Sequence, residues 1–239
     1  MLKYSSMKLS WMVPDVWWVP VLGLAPAVFW LWYFYVKDRY APEPRSWILR
    51  IFVLGMVSTV PIAIVESIVA LALPSDLLLA VVVAPIVEEI GKFLVVYRYV
   101  FRHPVFDEPI DGIVYAVSAA LGFAALENVL YLFAAYSETL TLPLELSLLR
   151  GVLSVPGHAL MSAMWGYALG QALVTPHPTA RRLVYEGLLL AILLHAAFNL
   201  LASADLAGIV VLLLVLVPGM WLIASARIGR ALRSGAPPE

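Results

Sequence analysis

Pro85-Ile86-Val87-Glu88-Glu89-Ile90-Gly91-Lys92 decides the fold, because it lies inside an apolar run covering roughly residues 76–100. A helix in hydrocarbon accepts an ionised side chain only at a cost of about 2.5–3.5 kcal/mol on insertion scales. Two carboxylates and an ammonium within one turn therefore face a protein interior or a water-filled cavity, and other helices must supply it. Pro85 cannot donate to the carbonyl of Val81, so it loosens the helix just before the glutamates. Such a distortion is tolerated where backbone lines a cavity.

Outward from this stretch the chain stays apolar. Of 239 residues 63% are hydrophobic and 13% charged, against about 25% charged in a soluble domain. A spanning helix needs about 20 mostly apolar residues, and seven segments qualify: 16–36, 47–73, 76–100, 110–136, 147–174, 183–202 and 206–226. The expected fold is all-α, a polytopic transmembrane bundle of about seven spans in one domain, 1–239, with its motifs between 76 and 202. The first segment is long, lacks a small-residue cleavage site and carries Trp17, Trp18, Trp30, Trp32 and Tyr33 for interfacial belts; it reads as a retained span. The absence of cysteine excludes disulfides, thiolate catalysis and sulfur-ligated metals. The net charge of −1 says nothing about nucleic acid, but no basic patch of the size that such binding needs is present, so no nucleic acid partner is expected. The partner that the composition demands is the lipid bilayer of the plasma membrane.

Basic residues set the orientation. Lys37, Arg39, Arg45, Arg50, Arg98, Arg102, Arg181, Arg182, Arg227, Arg230 and Arg233 all fall on one side, against Lys3, Lys8 and Arg150 on the other. The N-terminus is therefore expected outside and the C-terminus inside. At ~1.5 Å per residue, Glu88 and Glu89 lie about 18 Å from the outer end of their span. On the same scale, His158 lies about 16 Å below the outer end of the fifth span and His195 about 18 Å above the inner end of the sixth. All four reach the bilayer midplane.

Each of these residues has a bland reading. A single intramembrane His or Asn usually bonds helix to helix, and Glu66, alone on its span, reads as packing or snorkelling. His103 and His177 are loop residues, and Asp107 and Glu108 are solvated charges. Ser162, Gly166 and Gly170 form a small-xxx-small stripe for close helix contact. Gluing helices together does not account for Glu88, Glu89, Lys92, Glu127, His158 and His195 meeting at one depth. A carboxylate beside a neutral imidazole deprotonates water, and Glu88 or Glu89 with His158 forms such a base. Lys92 favours the ionised glutamates. His195 and Asn199, four apart on one face, offer donors for an oxyanion. Asp111, Glu127 and Asn128 are supporting groups, Glu127 also being a candidate partner of Lys92. The set reads as amide hydrolysis in or near the membrane.

Four motifs in order carry a resemblance. They are Glu88-Glu89-x-x-Lys92; Asp107-Glu-Pro-Ile-Asp-Gly-Ile-Val-Tyr with Gly122-Phe-Ala and Glu127-Asn-Val-Leu-Tyr131; His158 with its Gly166/Gly170 stripe; and His195-x-x-x-Asn199. Together they resemble the PrsW-type intramembrane proteases, distantly similar to the CAAX prenyl endopeptidase and bacteriocin-processing family. The resemblance implies site-1 cleavage of a single-span membrane protein, such as an anti-sigma factor, with Glu88, Glu89, His158 and His195 as the catalytic core. CAAX-type relatives carry Glu-Glu-x-x-x-Arg, where this chain has a lysine at shorter spacing. No cofactor is favoured: Glu88 with His158 is read as activating water without metal. The alternative is zinc on His158, His195 and Glu88 with one open position, although the His-Glu-x-x-His helix of ordinary zinc proteases is missing. Midplane carboxylates and histidines also build proton relays, so a proton- or ion-coupled transporter is the reading from another class. The lack of inverted repeats speaks against it. A non-catalytic relative that kept the fold is the third reading.

Overall fold

The computed structural model describes residues 16–38, 40–73, 75–136 and 142–235, and all their regular structure is helical. That is one of two solutions that satisfy every backbone N–H and C=O in lipid. The helices are α1 (Trp18–Tyr35), α2 (Arg45–Ala70), α3 (residues 76–99), α4 (Pro109–Tyr136), α5 (Leu142–Val152), α6 (Ser154–Gln171), α7 (His177–Ala202) and α8 (residues 206–235). Lys3, Lys8, Arg39, residues 137–141 of the expected fourth loop and the Pro-rich tail fall outside the described residues.

Among the described residues, five helices are long and apolar enough to cross a membrane: α1, α2, α4, α7 and residues 206–234 of α8. The two other expected spans are not among them: α3 carries Glu88, Glu89 and Lys92 in its apolar stretch and 147–174 is broken in two, and a proline accompanies the irregular turn in each. In α3, Asp76–Leu78 leads into a π-helical turn, Leu79–Val83, before Ala84–Tyr99. A π-turn pairs each carbonyl with the N–H five residues on, so Ala80 would need the N–H that Pro85 lacks. The side-chain amide of Asn199 fills that place, donating to the Ala80 carbonyl at 2.8 Å. The expected span 147–174 is split at Leu153 into α5 and α6. Pro156 has no N–H for the carbonyl of Val152, which ends the first helix. Just before the break, Trp30 Nε1 donates to the Gly151 carbonyl at 2.9 Å. His158 thus lies one turn into α6 rather than deep in an unbroken span.

α4 is the spine of the bundle, with 83% of its most apolar window buried. Small residues let the neighbouring backbones close on it. A Cβ on Gly112 would strike the backbone of Gly166 and Gly170 in α6, and one on Gly122 would strike the Phe52 carbonyl in α2. The Gly166/Gly170 stripe therefore packs α6 against α4, as its spacing predicts. α1 lies along α4 on another side, and α3 packs against α2, α4 and α7. The charged turn of α3 is enclosed this way.

Candidate active site

The two adjacent glutamates have opposite surroundings. Glu89 is fully buried and each of its oxygens is taken twice. Lys92 Nζ lies 2.5 Å and His195 Nδ1 3.1 Å from Oε1; Ser162 Oγ donates to Oε2 at 2.8 Å and Trp165 Nε1 at 3.0 Å. This carboxylate is a structural anion that ties α3 to α6 and α7. Glu88 is 5% exposed, and its Oε2 is buried without a hydrogen-bond partner. His158 Nδ1 lies 3.7 Å, His195 Nε2 3.8 Å and Lys92 Nζ 3.7 Å from that oxygen. A buried acceptor left bare costs about 1–3 kcal/mol, more if charged, which marks a position where another group binds.

The two imidazoles stand edge to face, centroids 5.1 Å apart. Each is backed by a carboxylate at the nitrogen turned away from Glu88: His195 Nδ1 by Glu89 at 3.1 Å, His158 Nε2 by Glu127 at 3.2 Å. Such partners fix ring orientation and tautomer. Lys92 Nζ, 4.9 Å over the Phe123 ring, also reaches His158 Nδ1 at 3.2 Å. Glu127 is held by Arg150 Nη2 at 2.5 Å, and Arg150 Nε donates to Asn128 Oδ1 at 2.9 Å. Asn128 in turn donates to the Gly23 carbonyl at 3.1 Å, tying α4 to α1. Glu127 therefore pairs with Arg150 and His158, and Lys92 with Glu89 and Glu88; the alternative pairing of Glu127 with Lys92 is not formed.

A cavity of about 450 Å³ leads to this cluster, lined among others by Glu66, Asp76, Glu88, Glu127, His158 and His195. It lies towards the ends of α2 and α7 and the start of α3. Asn199 lines it too, with one amide N–H committed to Ala80. Asp111 stands far away, at the opposite end of α4, where its Oδ2 accepts from the N–H groups of Asp107 and Glu108 at 2.8 and 2.7 Å. Three contributors escaped the sequence reading. Arg150 was counted only as a topological charge and Ser162 only as a small residue. Trp165 was not singled out, although Ser162 and Trp165 lie four and seven residues after His158 on one helical face. Glu66, read as packing, turns its Oε1 into a buried position without a partner.

The donors fit a divalent metal, provided that Lys92 Nζ gives up its 3.2 Å contact with His158 Nδ1. One ligand atom each from Glu88, His158 and His195 lie within 4.8 Å of one another. Tetrahedral zinc bonds of about 2.0–2.2 Å place ligand atoms roughly 3.3–3.6 Å apart, close to the 3.7 and 3.8 Å observed. The bare Oε2 of Glu88 and the carboxylate behind each ring are what such a site requires.

The model of the PrsW family intramembrane metalloproteases matches residues 43–223. The chain belongs to this family. It is 39% identical to the protease PrsW of Geobacillus kaustophilus over 76% of this chain and 78% of that one. It is 36% identical to that of Oceanobacillus iheyensis over 87% and 94%, and 33% identical to that of Bacillus subtilis over 76% and 81%. No solved structure matches. This PrsW-family chain is a protease, and its apolar helices make it a multi-pass protein of the plasma membrane.

Proposed function

We propose that this protease hydrolyses a peptide bond in or near the membrane-spanning segment of a single-span membrane protein, with Glu88 as the residue that activates water. One observation carries the reading: a bare, buried carboxylate oxygen between two imidazoles, each braced by a further carboxylate. The chain crosses the membrane seven times with its N-terminus outside, so the cavity opens outward. This is supported by the one-sided distribution of Lys and Arg.

Glu88, His158 and His195 would hold the metal that the family's description names. When bound, it would act as a Lewis acid and acidify a water molecule. The chain's own residues do the rest. With Oε2 committed as a ligand, the second oxygen of Glu88, Oε1, takes the proton from water and returns it to the leaving amine. Glu89, locked by Lys92, Ser162 and Trp165, holds His195 in one tautomer. Glu127, locked by Arg150, does the same for His158. The N–H of Asn199 not bonded to Ala80 is a donor on the cavity wall for the developing oxyanion. His195, expected to share that task, already spends Nδ1 on Glu89. An anti-sigma factor cut at its first site is the substrate that the family resemblance implies.

The test is co-expression with tagged single-span membrane proteins, anti-sigma factors among them, comparing wild type with Glu88→Gln and His158→Ala. Both variants should abolish the cleaved fragment while still accumulating in the membrane. Phenanthroline should stop cleavage by the purified enzyme and added zinc should restore it. Cleavage by both variants would overturn the assignment of the site, and cleavage after complete metal removal would overturn the metal.

A further inference from the structure

A second group of buried carboxylates lies at the opposite end of α4 from the active site. Asp38 and Glu43 come from the loop between α1 and α2, and Asp111 from the first turn of α4. They are 3%, 4% and 0% exposed. Each has one oxygen held by a donor. Asp38 Oδ2 accepts from the Glu43 N–H at 3.2 Å, Asp111 Oδ2 accepts from the N–H groups of Asp107 and Glu108, and Glu43 Oε2 accepts from the Tyr115 hydroxyl. The second oxygens of Asp38 and Asp111 are buried without a partner. Among the described residues no Lys, Arg or His is ion-paired with any of the three.

Three carboxylates do not stay together, buried and unpaired, at neutral pH: like charges oppose one another and desolvation penalises each. A hard cation resolves both costs. One oxygen from each of the three residues lies within 4.8 Å of the others. A shell of oxygen ligands at about 2.3–2.6 Å from Ca²⁺, or about 2.0–2.1 Å from Mg²⁺, places ligands within roughly that spacing of one another. The all-oxygen donor set suits these ions and not the nitrogen-preferring metal expected at the active site. Fixed second oxygens aim the free ones inward, as partners behind ligating carboxylates do.

We propose that Asp38, Glu43 and Asp111 form a binding site for a hard divalent cation, Mg²⁺ or Ca²⁺, that fastens the α1–α2 loop to the start of α4. The site is distinct from the catalytic cluster, which lies near the other end of α4, and it does not rest on the catalytic assignment. Its test uses the full chain, purified in detergent and stripped with EDTA, in a His158→Ala background so that a metal at the catalytic histidines is not counted. CaCl₂ and MgCl₂ are titrated separately, by calorimetry and by thermal unfolding. One saturable site is expected, with a raised unfolding midpoint. Asp38→Asn and Asp111→Asn should each weaken binding by at least about tenfold. If Asp111→Asn does not fold, Asp38→Asn in its loop decides alone. No saturable binding of either ion, as three carboxylates sharing protons would give, overturns the proposal. So does binding undiminished in Asp38→Asn.

Discussion

Adjacent residues with the same side chain should fail in opposite ways when changed. Glu89→Ala removes an acceptor that four donors share, all buried, and strips Lys92 of its 2.5 Å partner. Breaking a buried pair from one side costs about 3–5 kcal/mol. Glu88 lies 3.7 Å from Lys92 and would recover a part by turning towards it. At roughly 2–4 °C per kcal/mol for a chain of this size, the thermal midpoint should fall by about 6–20 °C. Glu88→Gln breaks no hydrogen bond, since Oε2 has none. The charges also balance better, because Glu89 and Glu127 then face Lys92 and Arg150 alone. In the metal-stripped enzyme its midpoint should move by less than about 4 °C, the equivalent of roughly 1 kcal/mol, while cleavage by the metal-replete enzyme disappears. The assay pairs thermal unfolding in detergent with an immunoblot of a co-expressed substrate. If Glu88→Gln unfolds as readily as Glu89→Ala, or if it still cuts, the division of labour between the two glutamates is wrong.

Other outcomes follow from the same geometry. Asn199→Ala should cost about 1–3 kcal/mol by leaving the Ala80 carbonyl bare, and Pro85→Ala, which restores a backbone donor, should recover much of it in a double-mutant cycle. Arg150→Lys should impair cleavage nearly as much as Arg150→Ala, because only a guanidinium reaches Glu127 and Asn128 together; wild-type rates in the lysine variant would refute this. Burial pushes the Asp38 carboxyl up from 3.8 to about 6 and raises that of Glu43. A raised carboxyl pKa gives stability that is full below the unfolded value and lost as pH rises through the folded one. Without divalent ions the unfolding midpoint should therefore drop between pH 4 and about 6, and Asp38→Asn should flatten that drop relative to wild type.

The helical fold was legible in the sequence because lipid leaves few options, and the polar cluster because charges in apolar runs are conspicuous. The pairing of Lys92 with the glutamates followed from i,i+3 and i,i+4 spacing. Two kinds of feature were not legible. Helix breaks depend on which carbonyl finds another donor: the sequence shows Pro85 and Pro156, but not that Asn199 and Trp30 arrive near the gaps. Cross-helix partners depend on rotation about the helix axis. Arg150 therefore looked like a topological marker until α5 brought it onto Glu127. Asp38 and Glu43 carry no signal in the sequence, because only the folding of their loop brings them to Asp111.

α4 explains why these distant groups belong to one design. Its first turn carries Asp111 and Tyr115, and Glu127 and Asn128 follow 16 and 17 residues after Asp111, about 24 Å along the axis. Backbone contact with α2 and α6 through Gly122 and Gly112 leaves it little room to shift. A carboxylate that must brace His158 needs a rigid base, and Glu127 has one. Glu88, by contrast, sits beyond a π-turn whose Ala80 carbonyl is closed by a side chain from α7. Its position is set by its neighbour Glu89, whose contacts with Ser162, Trp165 and His195 tie α3 to α6 and α7 and hold the bare Glu88 oxygen against both braced histidines.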